Sequence, residues 1–233
     1  MVTDLSSELL TYLARNAYPP GTRLPAIQEL SNTLAISTGK LREQLEVARQ
    51  LGLVEVRPKT GIRTLEFSFS RMIKTGLSYA LTLDPNFFFQ FGILRNNVEA
   101  AFWYEAIRLL QSEDKDHLQD LLESAWSKLR GYPIQIPHAE HRDLHLTIYS
   151  RLENPFVVGL LEAYWEAYEA VGLNMYADYS YLESVWNYHE VMVRAILSGD
   201  EHAGYQALVE HTGLIHNRPE IGRFRPPEIE KTV

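Results

Sequence analysis

Apolar positions recur at helical spacing over almost the whole chain, and only one short stretch alternates like a strand. Leu5, Leu9, Leu10 and Leu13 share one face of a first helix, which ends at Tyr18-Pro19-Pro20-Gly21. Pro25 opens a second helix with Ile27, Leu30 and Leu34 inward. Ser37 is placed to cap a third, in which Leu41, Leu45 and Ala48 continue the buried face. Gly52-Leu53 closes that helix. Val54–Val56 and Ile62–Leu65 then predict two short strands around a turn at Lys59, Thr60 and Gly61. A helical pair followed at once by a basic hairpin is the layout of a winged helix-turn-helix, and it points to double-stranded DNA as a partner.

After a mixed connector at 66–76, the pattern predicts helices near 77–83, 86–111, 114–130, 137–152, 155–172, 179–198 and 201–217. Breaks fall at Asp84-Pro85, Gly131, Asn154-Pro155, Gly172 and Gly199-Asp200. The expected architecture is mainly α: residues 1–65 form the DNA-binding domain, 77–220 an antiparallel α-helical bundle, and 221–233 a loose tail. Net charge sharpens the division. The chain carries −8 overall, yet residues 1–65 hold eight basic against six acidic side chains, leaving fourteen against twenty-four for the remainder. An acidic body is repelled by phosphate, so only the first segment suits a duplex. Within it, Thr38, Lys40 and Arg42 near the start of the third helix, Arg49 further along, and Lys59, Thr60 and Gly61 at the wing tip are the candidate contacts. With no Cys, no basic–apolar leader and no bilayer-length apolar run, the expectation is a cytoplasmic protein without a membrane partner.

Histidines carry the candidate chemistry of the bundle. His141 and His145, four apart, leave one helix face a turn above one another, a spacing able to chelate a metal. If the last two helices form an antiparallel hairpin about Gly199-Asp200, His189 and His211 sit level across it. Each lies on an inward stripe, beside Val193 and Ile196 or Ala207 and Leu208. The four imidazoles can therefore form one site, although buried histidines are more often hydrogen-bonded core residues. His117, His138, His202 and His216 fit polar faces or loops and are expected to be solvated. An all-nitrogen set suits a divalent transition metal, Zn or Ni first, better than Mg or Ca.

Residues 5–65 resemble the DNA-binding domain of the GntR family of bacterial transcription regulators. The resemblance is carried by Pro20-Gly21-Thr22-Arg23-Leu24-Pro25, Leu41-Arg42-Glu43 and Gly52-Leu53-Val54. Thr38 and Gln28 stand where relatives commonly carry Arg, which implies a different operator. The remainder resembles the FCD ligand-binding domain of the FadR-type branch. Here His145, Asn154-Pro155 and the His189/His211 pair match the family pattern, while His141 stands where Asp is usual. The resemblance implies a metal held by His141, His145, His189 and His211, and a small carboxylate effector bound to it and to Arg95. A buried Arg95–Glu99 ion pair is the alternative for that arginine.

Half-site recognition implies a homodimer, and family analogy implies a repressor. Two other classes stay open. One is a regulator that senses metal alone. The other is a metal-dependent enzyme, disfavoured because no carboxylate is evidently placed beside His141 and His145 and Asp143 faces another side of the helix.

Overall fold

Ser7 sets the start of the first helix. Its hydroxyl accepts a hydrogen bond from the Leu10 amide and so caps α1, Glu8–Asn16. The cap lies two residues beyond Leu5, which is therefore left outside the helix and 41% exposed rather than packed. In this computed structural model, residues 5–57, 61–171 and 178–214 are described. They divide into two compact units, 1–75 and 76–233.

The first unit contains α1, α2 (Ile27–Leu34), α3 (Thr38–Gln50) and a two-stranded antiparallel sheet, β1 (Val54–Arg57) with β2 (Gly61–Thr64). Val54 faces Thr64 and Val56 faces Ile62 across the ladder. Ser37 caps α3 by accepting from the Lys40 amide, an arrangement typically worth about 1 kcal/mol. Gly52, at φ +70°, turns the chain from α3 into the sheet, and a Cβ there would also strike the Arg71 side chain. Leu9, Leu24, Leu30, Leu41, Leu45, Ala48, Val54 and Ile62 make up the buried core.

The stretch expected as a connector is helical from its fourth residue onward. Here α4 runs over Phe69–Leu83, because the Ser68 hydroxyl accepts from the Arg71 amide and starts the helix at a cap the periodicity did not reveal.

The second unit is a helical bundle of α5 (Phe87–Leu109), α6 (Ser112–Arg130), α7 (His138–Tyr149), α8 (Pro155–Ala170), α9 (Tyr179–Ser198) and α10 (Glu201–Gly213). These helices are a few residues shorter at several ends than their apolar pattern suggested, as fraying and capping dictate. Asn154 caps α8 through the Phe156 and Val157 amides, with Pro155 in the first turn. Gly199, at φ +78°, ends α9, and Asp200 caps α10 by accepting from the Ala203 amide. One residue thus stops a helix and the next starts its partner, which produces the tight α9–α10 pairing. The Trp103 indole of α5 donates to the Glu201 carbonyl and lies over Gly204, whose missing Cβ makes room for the ring.

Candidate functional site

Two faces of the protein carry the residues singled out from sequence. On the first unit, α3 presents Arg42 and Arg49 to solvent, with Thr38 half-buried at its start. Lys40, also exposed, is ion-paired with Glu8 of α1, whose other carboxylate oxygen accepts from Gln44. These contacts hold the Glu8 carboxyl down to about 2. Arg49 is ion-paired with Glu46. Arg42 has no side-chain partner among the described residues. Gly61 opens β2 at φ +83°, whereas Lys59 and Thr60 lie outside the described residues. Beside Gly61 is the exposed Arg23 guanidinium, a cation at the base of the wing that the sequence reading did not single out. A bridge between Arg23 and Arg63, forty positions further on, sets it there, and no local pattern announces such a contact.

In the second unit, α7, α9 and α10 bring His141, His145, His189 and His211 together, with one ring nitrogen from each within 4.8 Å of the other three. His145 Nε2 lies 3.2 Å from His189 Nε2 and 3.3 Å from His211 Nε2. Tetrahedral coordination at metal–nitrogen bonds of roughly 2.0–2.1 Å sets ligand atoms about 3.3 Å apart, the same spacing. His145 and His189 are fully buried and His211 nearly so. His141 is partly exposed as a residue, but its Nε2 is shielded from solvent.

The donor set fits a cation better than it fits itself. A neutral imidazole nitrogen has one in-plane lone pair or one proton, so His145 Nε2 cannot satisfy both neighbours. His141 Nε2 is also buried without a partner, and such a group costs about 1–3 kcal/mol. The unpartnered Nδ1 atoms of His189 and His211 are the far nitrogens of rings whose Nε2 atoms face the cluster. Burial, followed by the neighbouring imidazoles and Arg95, pushes His141 and His189 well below the ordinary imidazole value. His211 is driven the same way by burial, His145 and Arg95. Burial also lowers His145, against an opposing pull from the Glu99 carboxylate. All four are therefore neutral at pH 7, the form that ligates metal.

Glu99 corrects the expectation that no carboxylate stands beside this pair. Its Oε1 is 3.1 Å from His145 Nδ1 and 2.9 Å from Arg95 Nη2, and Glu99 and Arg95 are 0% and 4% exposed. The ion pair held open as an alternative for Arg95 is thus present. The guanidinium also lies over Tyr164, 4.8 Å from the ring centroid, and beside Trp165, while its Nε and Nη2 make no well-aligned hydrogen bond. A periodic signal for Glu99 did exist. Phe88, Gly92, Arg95, Glu99, Trp103 and Ala106 form the buried stripe of α5, so a carboxylate on it had to face inward.

His138 is a second correction. It is not solvated: its ring stacks on Tyr168 at 5.4 Å between centroids, and its Nε2 meets Glu169 at 3.1 Å. The first residue of α7 faces α8, which the polar sequence around it concealed. His117 and His202 are exposed as expected, and His216 lies outside the described residues. Asp143 pairs with Arg142 at the surface, away from the cluster.

A winged helix-turn-helix followed by a helical bundle is the layout of a two-domain DNA-binding regulator. Comparison with known proteins gives the family. Residues 3–63 match the gntR family of bacterial regulatory proteins, and residues 93–214 match the FCD domain. The chain belongs to the gntR family and carries an FCD domain, and is accordingly a DNA-binding transcriptional regulator rather than an enzyme.

Two relatives from Escherichia coli K12 span most of it. The uncharacterized HTH-type transcriptional regulator YieP is 24% identical over 87% of this chain and 88% of its own length. The Uxu operon transcriptional regulator is 24% identical over 92% and 85%. A solved Streptococcus agalactiae GntR structure shares the fold at a TM-score of 0.67, with 17% identity over 90% of this chain and 95% of that one.

Proposed function

We propose that this regulator senses a small organic acid at a divalent metal held by His141, His145, His189 and His211. It acts as a homodimeric, cytoplasmic repressor that the acid releases from its operator. The observation that carries the reading is the convergence of four neutral imidazoles, three of them buried, on ring nitrogens that cannot satisfy one another. Zn or Ni suits four nitrogen donors. When bound, the metal supplies a Lewis-acid centre for an anionic oxygen.

Arg95 supports the acid half of the reading, since a buried guanidinium with unmatched donors favours a carboxylate. Thr38, Lys40, Arg42 and Arg49 on α3, together with Lys59, Thr60 and Gly61 of the wing, are the proposed operator contacts. Dimerisation follows from the few base pairs one recognition helix can read. The cytoplasm is supported by the DNA partner and by the lack of cysteine. Among the described residues no helix is long and apolar enough to cross a membrane.

The acid can act only through unequal affinity for the DNA-competent and DNA-incompetent arrangements. Its binding at α5 and α7 shifts the packing of the first bundle helix, and α4 is the covalent route from there to the DNA-binding unit.

Native mass spectrometry of the purified full chain tests the proposal in one measurement, reporting dimer mass, bound metal and retained small acid. One metal per chain is expected, and none in His145→Ala. Unchanged metal stoichiometry in that variant would refute the site. A second reading, metal sensing without an acid, draws on the existing Arg95–Glu99 pair, which already occupies the guanidinium. Titrating metal alone against operator binding separates the two.

A further inference from the structure

Of the four clustered histidines, His145 is the one whose far ring nitrogen has a protein partner among the described residues. We infer that Glu99 is a positioning residue for the metal centre: it holds the His145 proton on Nδ1, so that Nε2 presents its lone pair to the cation, and it supplies the negative charge that four neutral imidazoles do not bring. The inference rests on the metal reading above and adds to it a residue that touches no metal itself.

Geometry and charge both lead there. The Glu99 oxygen 3.1 Å from Nδ1 is the one ion-paired with Arg95, so it acts as an acceptor and the imidazole donates. That choice leaves Nε2 unprotonated, and Nε2 is the atom facing His189 and His211. A carboxylate behind a ligating imidazole fixes its tautomer and ring orientation and raises its basicity.

Glu99 is itself held from two sides. Arg95, one turn earlier on α5, ion-pairs with the same oxygen that meets His145. The Tyr149 hydroxyl of α7 donates to the Glu99 carbonyl at 2.9 Å, pinning this turn of α5 against the helix that carries His141 and His145. A divalent ion among uncharged ligands, with Arg95 close by, would leave a buried excess of positive charge. Glu99 offsets part of it from a position fully shielded from water.

The test is a Co(II) titration of the metal-free full-length protein, followed by the visible absorption of four-coordinate cobalt. Glu99→Gln keeps the side-chain shape and removes the charge. It is expected to weaken Co(II) binding about 10–100-fold while the absorption band at saturation keeps its wild-type shape. Wild-type affinity in Glu99→Gln overturns the inference.

If the wild-type protein itself gives no four-coordinate band, the metal reading has failed and the inference falls with it, an outcome distinct from a failure of Glu99 alone. Should Glu99→Gln not fold, long-range proton–nitrogen spectra of the wild-type protein loaded with Zn(II) decide. A proton on His145 Nδ1 with Nε2 metal-bound is expected, and the opposite arrangement refutes the positioning role.

Discussion

Around Leu9, Leu30 and Leu41 the DNA-binding unit has an apolar core, and among its described residues the buried polar side chains are Ser31, Thr64 and Ser70, none titratable. The bundle instead buries Arg95, Glu99, Glu140, His145, His189 and His211. The first unit keeps its charges where phosphates can reach them and where water screens them. The second withdraws several ionisable groups from water, where every unmatched donor or acceptor costs stability. The contrast separates a charged surface from a buried cluster of ionisable groups.

The strongest way to break this contrast is to remove one partner of the buried pair. Arg95→Met leaves the Glu99 carboxylate without its counter-ion in a site shielded from water, and the metal-free protein should lose about 3–5 kcal/mol of stability in denaturant unfolding. A loss no larger than that of a surface substitution would show that the pair is not effectively buried.

Packing comes next. A Cβ on Gly204 would sit 2.6 Å from Trp103 and 3.3 Å from the Ala195 Cβ. Gly204→Ala is therefore expected to cost about 1–3 kcal/mol in thermal unfolding of the bundle. A neutral or stabilising result would mean that the Trp103 ring moves aside freely.

The smallest effect belongs to the DNA-binding unit. Hydrogen bonds from Lys40 and Gln44 hold Glu8 at about 2, against an ordinary 4.5. A carboxylate with a depressed folded-state pKa contributes its stability above the unfolded value and loses it as pH falls through the folded one. Glu8→Gln should thus lower the melting temperature slightly at neutral pH, and the difference from wild type should shrink between about pH 4.5 and 2. Because the pair is exposed and screened, added salt should shrink it as well. A difference that grows as the solution is acidified would reverse the assigned sign.

Much of this molecule was legible in one dimension because the signals concerned are local. Ser37 before α3, Gly52 after it, Asn154-Pro155 before α8 and Gly199-Asp200 between α9 and α10 each act through their own backbone amides and carbonyls. The histidine cluster was legible for a related reason. Two of its members are one turn apart on α7, and the other two are level across the tight α9–α10 hairpin, so helix periodicity and one local turn bring each pair together.

Other features waited for the tertiary structure. Nothing near His138 in sequence announces Tyr168 and Glu169, which lie on another helix. Lys40 reads as a free cation until α1 brings Glu8 beside it. The convergence of the two histidine pairs, and the placing of Glu99 behind His145 from a helix 46 residues away, depend on how α5, α7, α9 and α10 pack. Hydrogen bonds and ion pairs between distant segments have a range of a few ångströms and no periodicity of their own, so they exist only once packing has set those distances.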